Sequence, residues 1–563
     1  MMERKIVVNY NQKETRVALL EDGRVMEIYI ERPLHQHLVG NIYKGIVENV
    51  LPGMQAAFVN IGEDRNAFLF VDDISQPKGE NGATERYPIQ RLLHVKEEIM
   101  VQIMKEPFGS KGARLTGEIT LPGRYLVLMP GYSYVGISKK IQDSEERERL
   151  KQEMDSIKPP GIGLIVRTAA QGADAESLKK DLEFLLRLLE KIKTNLNKED
   201  APAVLHTDMG LIYRIIRDLF NDSISQFIID NHEEYLKVLD ILEYLSPHLK
   251  NRVFFYKNVE PIFERFGVEE ELERSLSRMV RLGSGGCLIF DETEALTVVD
   301  VNTGKFTGKS NLEETIFKTN MEAAEEIVRQ IRLRDIGGII VVDFIDMSTY
   351  EHRQQILEKL RVELSRDRTR NNVLGLTSLG LVEITRKKVK QGLSAVMQQP
   401  CSYCQGRGKL LSPESVSSKI ERELKKTLSK KDVEAVLVEM NSEVAALLIG
   451  GGGLYLKKLE AQTGKTIFIR GSDSIHLEKY EIIMAGHLKE VEKHALPVEE
   501  GGIYRVTIEE PHTTDAERGI ARLHGYILDI ENAGNLVGEE VLVEIKERSR
   551  TFARAELWEK EVE

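Results

Sequence analysis

The chain has 563 residues, with 78 Lys and Arg against 90 Asp and Glu, a formal net charge of -12. That length exceeds one core, so about four domains are expected; the acidic balance argues mildly against a nucleic-acid partner, although one basic groove can coexist with acidic helices elsewhere. No run reaches the roughly 18 apolar residues of a membrane span, the start MMERKIVVNY has no apolar export segment, and three cysteines exclude a disulfide framework, so a cytoplasmic protein without a membrane span is expected.

Taken in order, KIVVNYNQKETRVALLEDGRVMEIYIER predicts a strand meander turning at Asp22 and Gly23, the pair that suits a tight hairpin. The next stretch, GNIYKGIVENVLPGMQAAFVNIGEDRNAFLFVDDI, has short strands broken at Gly45, Pro52, Gly53 and Gly62, the punctuation of a small barrel. Phe58 and Phe68 fall on neighbouring strands, with Lys44 and Arg65 close by. Rings interleaved with cations suit single-stranded nucleic acid, because bases stack while cations follow the backbone; filling of the barrel core is the competing reading for each ring. SQPKGENGATERYPIQ reads as a loop insertion without chemistry, and the mixed charge run from Lys139 to Lys158 as a solvated helix face. Arg167 ends an apolar strand and is followed by Thr168, so guanidinium and hydroxyl together can hold a phosphate; a solvated or ion-paired arginine is the alternative.

Further on, LTVVDVNTG and GIIVVDFIDM each drive an aspartate, Asp300 and Asp343, out of the end of an apolar strand. Their β-branched runs read as strands buried on both faces. Between them, Asn311 with Glu314 suits a helix start, and Ile316, Ala323, Ile327 and Ile331 follow a helical period. Strand, helix and strand form a right-handed βαβ unit with both carboxyl ends at one sheet edge, so the two carboxylates face one crevice. They make a site for a hard divalent cation, or each caps a turn. Asp346, three residues on, reads as structural, pointing away along an alternating strand.

Cys401 and Cys404 form CSYCQGRG, whose glycines permit the turn of a zinc knuckle. No second CxxC or His pair completes four ligands, so either two chains each contribute half a site or the pair is redox-active; the absence of a following thioredoxin-like βαβ pattern favours shared zinc. Cys287, in GGCLIFD, reads as a buried thiol. LLIGGGGLYLKKLEAQTGKTIFIRG reads as two helices joined by a glycine loop with a strand after it, either a nucleotide clamp or a tight connection. From Gly501 the tail is again a strand series, with Ser549, Arg550, Thr551 and Arg554 forming a basic edge suited to auxiliary RNA binding.

The barrel, FGSKGARLTGEITLPGRYLVLMPG, GLIVRTAA, the paired aspartates and the CxxC occur in the order found in the ribonuclease E/G family, and the chain resembles that family from Met1 to the neighbourhood of His487. The resemblance implies an α+β multidomain fold. Residues 1–38 and 205–280 form an RNase H-like domain, 39–123 an OB-fold RNA-binding barrel, 124–204 a 5′-sensor and 281–398 a DNase I-like catalytic domain. Residues 399–411 form a zinc link and 412–495 a small KH-like domain, while 501–563 look like an added TRAM-type OB barrel outside the family's catalytic core.

By the same resemblance Asp300 and Asp343 are magnesium ligands, with Asn302 beside the scissile phosphate. Phe58, Phe68 and Lys111 contact RNA near the cut. A 5′-monophosphate pocket falls on Arg167 and Thr168, with Gly123, Val127, Lys139 and Arg370. Lys139 stands where arginine is expected; it keeps the charge and loses the bidentate fork. The expected protein is a magnesium-dependent endoribonuclease that cuts single-stranded A/U-rich RNA, is stimulated by a 5′-monophosphate, and leaves 5′-phosphate and 3′-hydroxyl ends in RNA processing and decay. Zinc shared by Cys401 and Cys404 of two chains would link a homodimer, extensible to a tetramer. A non-catalytic RNA-binding scaffold in ribosome assembly is the alternative; it leaves both aspartates and Asn302 without a purpose.

Overall fold

The structure is a computed structural model that describes residues 3–32, 38–74, 87–107, 112–303, 312–389, 391–512, 515–523, 526–550 and 552–558. Lys111, Asn311 and Thr551 lie outside them. The chain divides into two units, Met1–Gln398 and Gln399–Glu563.

In the first unit, Asp22 and Gly23 take φ of 47° and 78°, the left-handed conformation that a tight hairpin requires. They join strands Thr15–Glu21 and Arg24–Glu31, which continue antiparallel from Arg4–Tyr10. Strands Gln226–Ile229 and Val253–Phe255 extend this sheet in parallel. Alternate residues Ile6, Val8, Val17 and Leu19 are buried against helices Leu211–Asp218 and His232–Leu245.

A barrel follows, from strands Ile42–Leu51, Ala56–Asn60, Ala67–Phe70, Arg114–Thr116 and Glu98–Lys105, closed because the last pairs with the first. Gly45 allows the approach: a Cβ there would lie 2.6 Å from Val59. The next sheet contains Leu121–Pro122, Leu126–Pro130, Ile162–Val166 and Val135–Ile137. Helix Ala175–Lys198 covers it with Leu178, Leu182, Leu185, Leu189 and Ile192, one helical stripe.

The last sheet of this unit runs Met279–Arg281, Cys287–Glu292, Leu296–Asn302, Gly338–Asp343, Val382–Arg386, Asn371–Leu376. Leu296–Asn302 and Gly338–Asp343 are parallel, and helix Leu312–Leu333 makes the crossover. One expectation fails: these strands are not buried on both faces. Val299, Val301, Ile340 and Val342 are buried against Ala323, Ile327 and Ile331, while Ile339 is 50% exposed. Cys287 is half-buried, at the start of its strand.

In the second unit, strands Ala435–Met440 and Thr466–Gly471 are parallel, with Tyr480–Gly486 antiparallel to the first. Helices Ser442–Ile449 and Leu454–Thr463 connect the parallel pair. A βα-type crossover therefore does follow the CxxC, which corrects the argument from its absence; the crossover consists of two short helices, so its sequence lacks one long periodic stretch. Strands Ile503–Pro511, Gly519–Leu523, Tyr526–Glu531, Phe552–Leu557 and Glu540–Arg548 close a second barrel. Its core runs into Leu437, Phe468, Val491 and Ala495 of the small sheet and its helix, as one apolar cluster. Among the described residues no helix is long and apolar enough to cross a membrane.

Candidate functional site

In the parallel ladder Asp300 lies directly opposite Asp343. Because side chains alternate along a strand, burial of Val299, Val301 and Val342 sends Asp300, Asn302 and Asp343 to the face away from the helices, and all three are exposed. They converge on an open sheet face at the strand ends. The Asn302 amide donates from Nδ2 to Asp300 Oδ2 at 2.7 Å, which fixes both rotamers. Among the described residues no cationic side chain pairs with Asp300 or Asp343. Partial burial, then the charges of Asp300 and Asp346, push the Asp343 carboxyl above its ordinary range. Two exposed carboxylates held side by side, with no cationic side chain of the described residues paired to either, fit the donor set of a hard cation that keeps most of its water.

Asp346 is corrected in one respect. The strand ends at Asp343, so alternation does not govern Asp346, and its charge reaches Asp343. No group of three or more His, Cys, Asp or Glu suited to a metal occurs among the described residues.

Phe58 and Phe68 are directly paired across antiparallel strands, their rings edge-to-face with centroids 5.9 Å apart. Their neighbours Ala57, Val59, Ala67 and Leu69 fill the barrel core, so both rings project from its outer face, half-buried, and neither fills the core. Lys44 is already engaged: its Nζ pairs with Glu98 at 2.9 Å and donates to the Glu199 carbonyl.

Near the other expected pocket, Thr168 Oγ1 meets Ser138 Oγ at 2.9 Å, beside the exposed Lys139. Lys140 Nζ lies 3.5 Å from the Arg368 carbonyl, two residues before the exposed Arg370. The Arg167 fork is already occupied, with Nη1 donating to the Gly123 carbonyl at 2.5 Å and Nη2 to Asp218 at 2.6 Å. Arg217 donates to the same carboxylate. Burial alone would raise the Asp218 carboxyl, but hydrogen bonds and charge from Arg217 and Arg167 carry it below its usual range. The segment from Gly123 wraps a buried carboxylate: Asp181 accepts the backbone N–H groups of Arg124, Tyr125 and Leu126 at 3.1, 2.9 and 2.9 Å. A Cβ on Gly123 would come 2.6 Å from that carboxylate. Val127 continues into the strand, half-buried. Nothing local in the sequence marks Asp181 or Asp218, whose partners lie 57 and 51 residues away.

The CxxC forms a knuckle. Backbone N–H groups of Cys404 and Tyr403, with the Cys404 side chain, bond the Cys401 thiol and lower its pKa. The loop is fastened to the small domain by His476, whose Nε2 lies 2.7 Å from the Tyr403 carbonyl, and by Arg407 on Glu478 at 2.6 Å. The expected basic edge of the last barrel is engaged elsewhere. Arg550 pairs with Glu460 at 2.8 Å and Arg554 with Glu547 at 3.3 Å.

The family model described as Ribonuclease E/G family matches residues 120–389. A second, RNase E/G, Thioredoxin-like domain, matches 400–485, and a TRAM domain model matches 497–558. Ribonuclease G of Escherichia coli (strain K12) is 40% identical over 489 residues, 86% of this chain and 100% of that protein. Ribonuclease G of Haemophilus influenzae is 40% identical over 487 residues, 85% of this chain and 99% of that protein. Ribonuclease E of Nostoc sp. is 41% identical over 395 residues, 69% of this chain and 57% of that protein.

Proposed function

Because the chain belongs to the ribonuclease E/G family, we propose that it is an endoribonuclease that hydrolyses single-stranded RNA at Asp300, Asn302 and Asp343 with magnesium. The observation that carries this is the parallel register of the two aspartates on an open sheet face. Asp300 and Asp343 would hold the ion, and Asn302 orients Asp300 through its amide. A bound magnesium ion supplies charge screening at the phosphate and a more acidic water. In the cut, a water oxygen forms the new bond to phosphorus, the bond to the 3′-oxygen breaks, and a proton passes to that oxygen, giving 5′-phosphate and 3′-hydroxyl ends. Phe58 and Phe68 present ring faces and edges on which bases can stack, and Lys111 would follow the backbone. The order of the first sheet supports an RNase H-like first domain, and the DNase I-like catalytic domain would be the mixed six-stranded sheet that carries both aspartates; the helix, glycine turn, helix and strand from Ser442 to Gly471 support a KH-like glycine loop within the domain that the thioredoxin-like model matches.

A 5′-monophosphate would be read by Lys139, Arg167, Thr168 and Arg370, with Gly123 and Val127 shaping the wall. The half knuckle of Cys401 and Cys404 fits zinc completed by the same pair in a second copy, since two thiols satisfy half of a tetrahedral site. The setting for this activity would be cytoplasmic RNA processing and decay.

The test uses a short A/U-rich RNA with a 5′-monophosphate or a 5′-hydroxyl, in magnesium or chelator. Asp300→Asn and Asp343→Asn are expected to lower cleavage by on the order of 10³-fold and to leave RNA affinity near wild type. Undiminished cleavage in both variants sinks the assignment, and equal rates on both RNAs sink the sensor.

A further inference from the structure

We infer that Asn320 is a positioning residue for the metal-binding carboxylates, holding the chain beyond Asp343 so that Asp343 keeps its place beside Asp300. The inference rests on the reading of Asp300 and Asp343 as the metal pair.

Asn320 sits on the crossover helix between the two aspartate strands and is 0% exposed. Its amide engages the backbone of one residue twice: Nδ2 donates to the Ile345 carbonyl at 2.8 Å, and Oδ1 accepts the Ile345 N–H at 3.2 Å. Ladder pairing ends at Asp343, so these backbone groups have left the sheet. A buried backbone pair without partners is costly; the Asn320 amide stands in for a strand at that point. Only an amide of this length offers a coplanar donor and acceptor here. Asp lacks the donor, and Leu lacks both.

A second tie lies two residues on. Arg353 Nε and Nη2 both donate to the Met347 carbonyl, at 2.8 and 2.5 Å. Phe344 and Met347 turn into the core, each 7% exposed. Residues 344–347 thus form an arch tied at Ile345 and Met347. Asp343 enters it, and Asp346 is exposed between the ties. Asn320 does this as a neutral group, so it fixes the carboxylates without cancelling the charge that would attract a cation.

The experiment measures Mn²⁺ binding to the full chain by electron paramagnetic resonance, without RNA, as the part removed by Asp343→Asn. It compares wild type with Asn320→Leu, Asn320→Asp and Val328→Ala, the last a core truncation on the same helix away from the arch. Asn320→Leu is expected to weaken that binding by roughly 10- to 100-fold, Asn320→Asp by less, and Val328→Ala not at all at comparable loss of Tm. If Asn320→Leu does not fold, Asn320→Asp carries the test. Unchanged Mn²⁺ affinity in the Asn320 variants, or equal weakening by Val328→Ala, overturns the inference. Wild-type binding that Asp343→Asn does not alter overturns the metal reading itself, and the inference with it.

Discussion

Asp343 shows how a residue of the proposed metal site can act against its own fold. Its carboxyl is pushed up by partial burial and by the charges of Asp300 and Asp346. A carboxyl raised on folding stabilises the fold while protonated; that contribution is complete below the unfolded pKa and is lost as pH rises through the folded one. At neutral pH, without metal, Asp343 therefore opposes folding. Asp343→Asn is expected to raise the Tm of the chelated protein at pH 7, with the gain shrinking towards pH 4; a lower Tm at pH 7 contradicts this. At the proposed 5′-phosphate pocket, the structure adds a competitor that a strand-end arginine does not reveal. Asp218 neutralises Arg167, so a phosphate must share the guanidinium with a carboxylate. Asp218→Asn keeps an acceptor and removes a charge, and is expected to tighten binding of a 5′-monophosphorylated oligonucleotide by roughly two- to tenfold while leaving a 5′-hydroxyl one unchanged. Equal effects on both, read by fluorescence anisotropy, would show that Asp218 does not face the phosphate.

At the scale of elements, the crossover helix does more than span two strands. Its apolar positions Ala323, Ile327 and Ile331 behave as their period predicts. Yet Glu326, Arg329, Arg332 and Arg334 are also buried, because the helix is covered by the N-terminal sheet as well as its own. Arg332 reaches Glu21 at 3.2 Å and Glu27 at 2.8 Å; Arg329 reaches the Val25 carbonyl and Glu271. The helix thus ties the chain beyond Asp343 through Asn320 near its middle, and locks the N-terminal sheet through Arg329 and Arg332 in its last turns. Arg332→Ala would leave Glu21 and Glu27 short of a partner in a desolvated place, and is expected to cost about 3 kcal/mol in urea unfolding; a loss within about 0.5 kcal/mol, the range of ordinary surface substitutions, would mean the cluster is solvated. A helical period identifies which face is apolar, but not what covers the remaining faces.

At the scale of the molecule, the TRAM barrel and the thioredoxin-like domain of the second unit share one apolar cluster through Leu437, Phe468, Val491, Ala495 and Leu528. A chain ending before residue 497 would expose that surface. Burial of a Leu, Phe or Val side chain is worth about 1.5–3 kcal/mol, so the calorimetric transition of the second unit is expected to fall to lower temperature. An unchanged transition would show that the small domain is independently stable. The acidic overall charge, read as a mild argument against RNA, conveys little here, because a sum over the whole chain does not say which cations are matched locally, as Arg522 is with Glu509 and Glu510. The sequence by itself determined the hairpin at Asp22 and Gly23, the two aspartate strands with their crossover, the knuckle of Cys401 and Cys404, and the family. Each is carried by residues within one turn, one period or one motif. Only the tertiary structure decided that the aspartates leave from an open face, that both phenylalanine rings project from the outer face of the barrel, and that Asp181, Asp218 and Asn320 hold the segments around Gly123, Arg167 and Ile345. Their partners stand 57, 51 and 25 residues away. Burial and hydrogen bonding between distant segments are set when sheets pack, and no local pattern of residue types encodes that meeting.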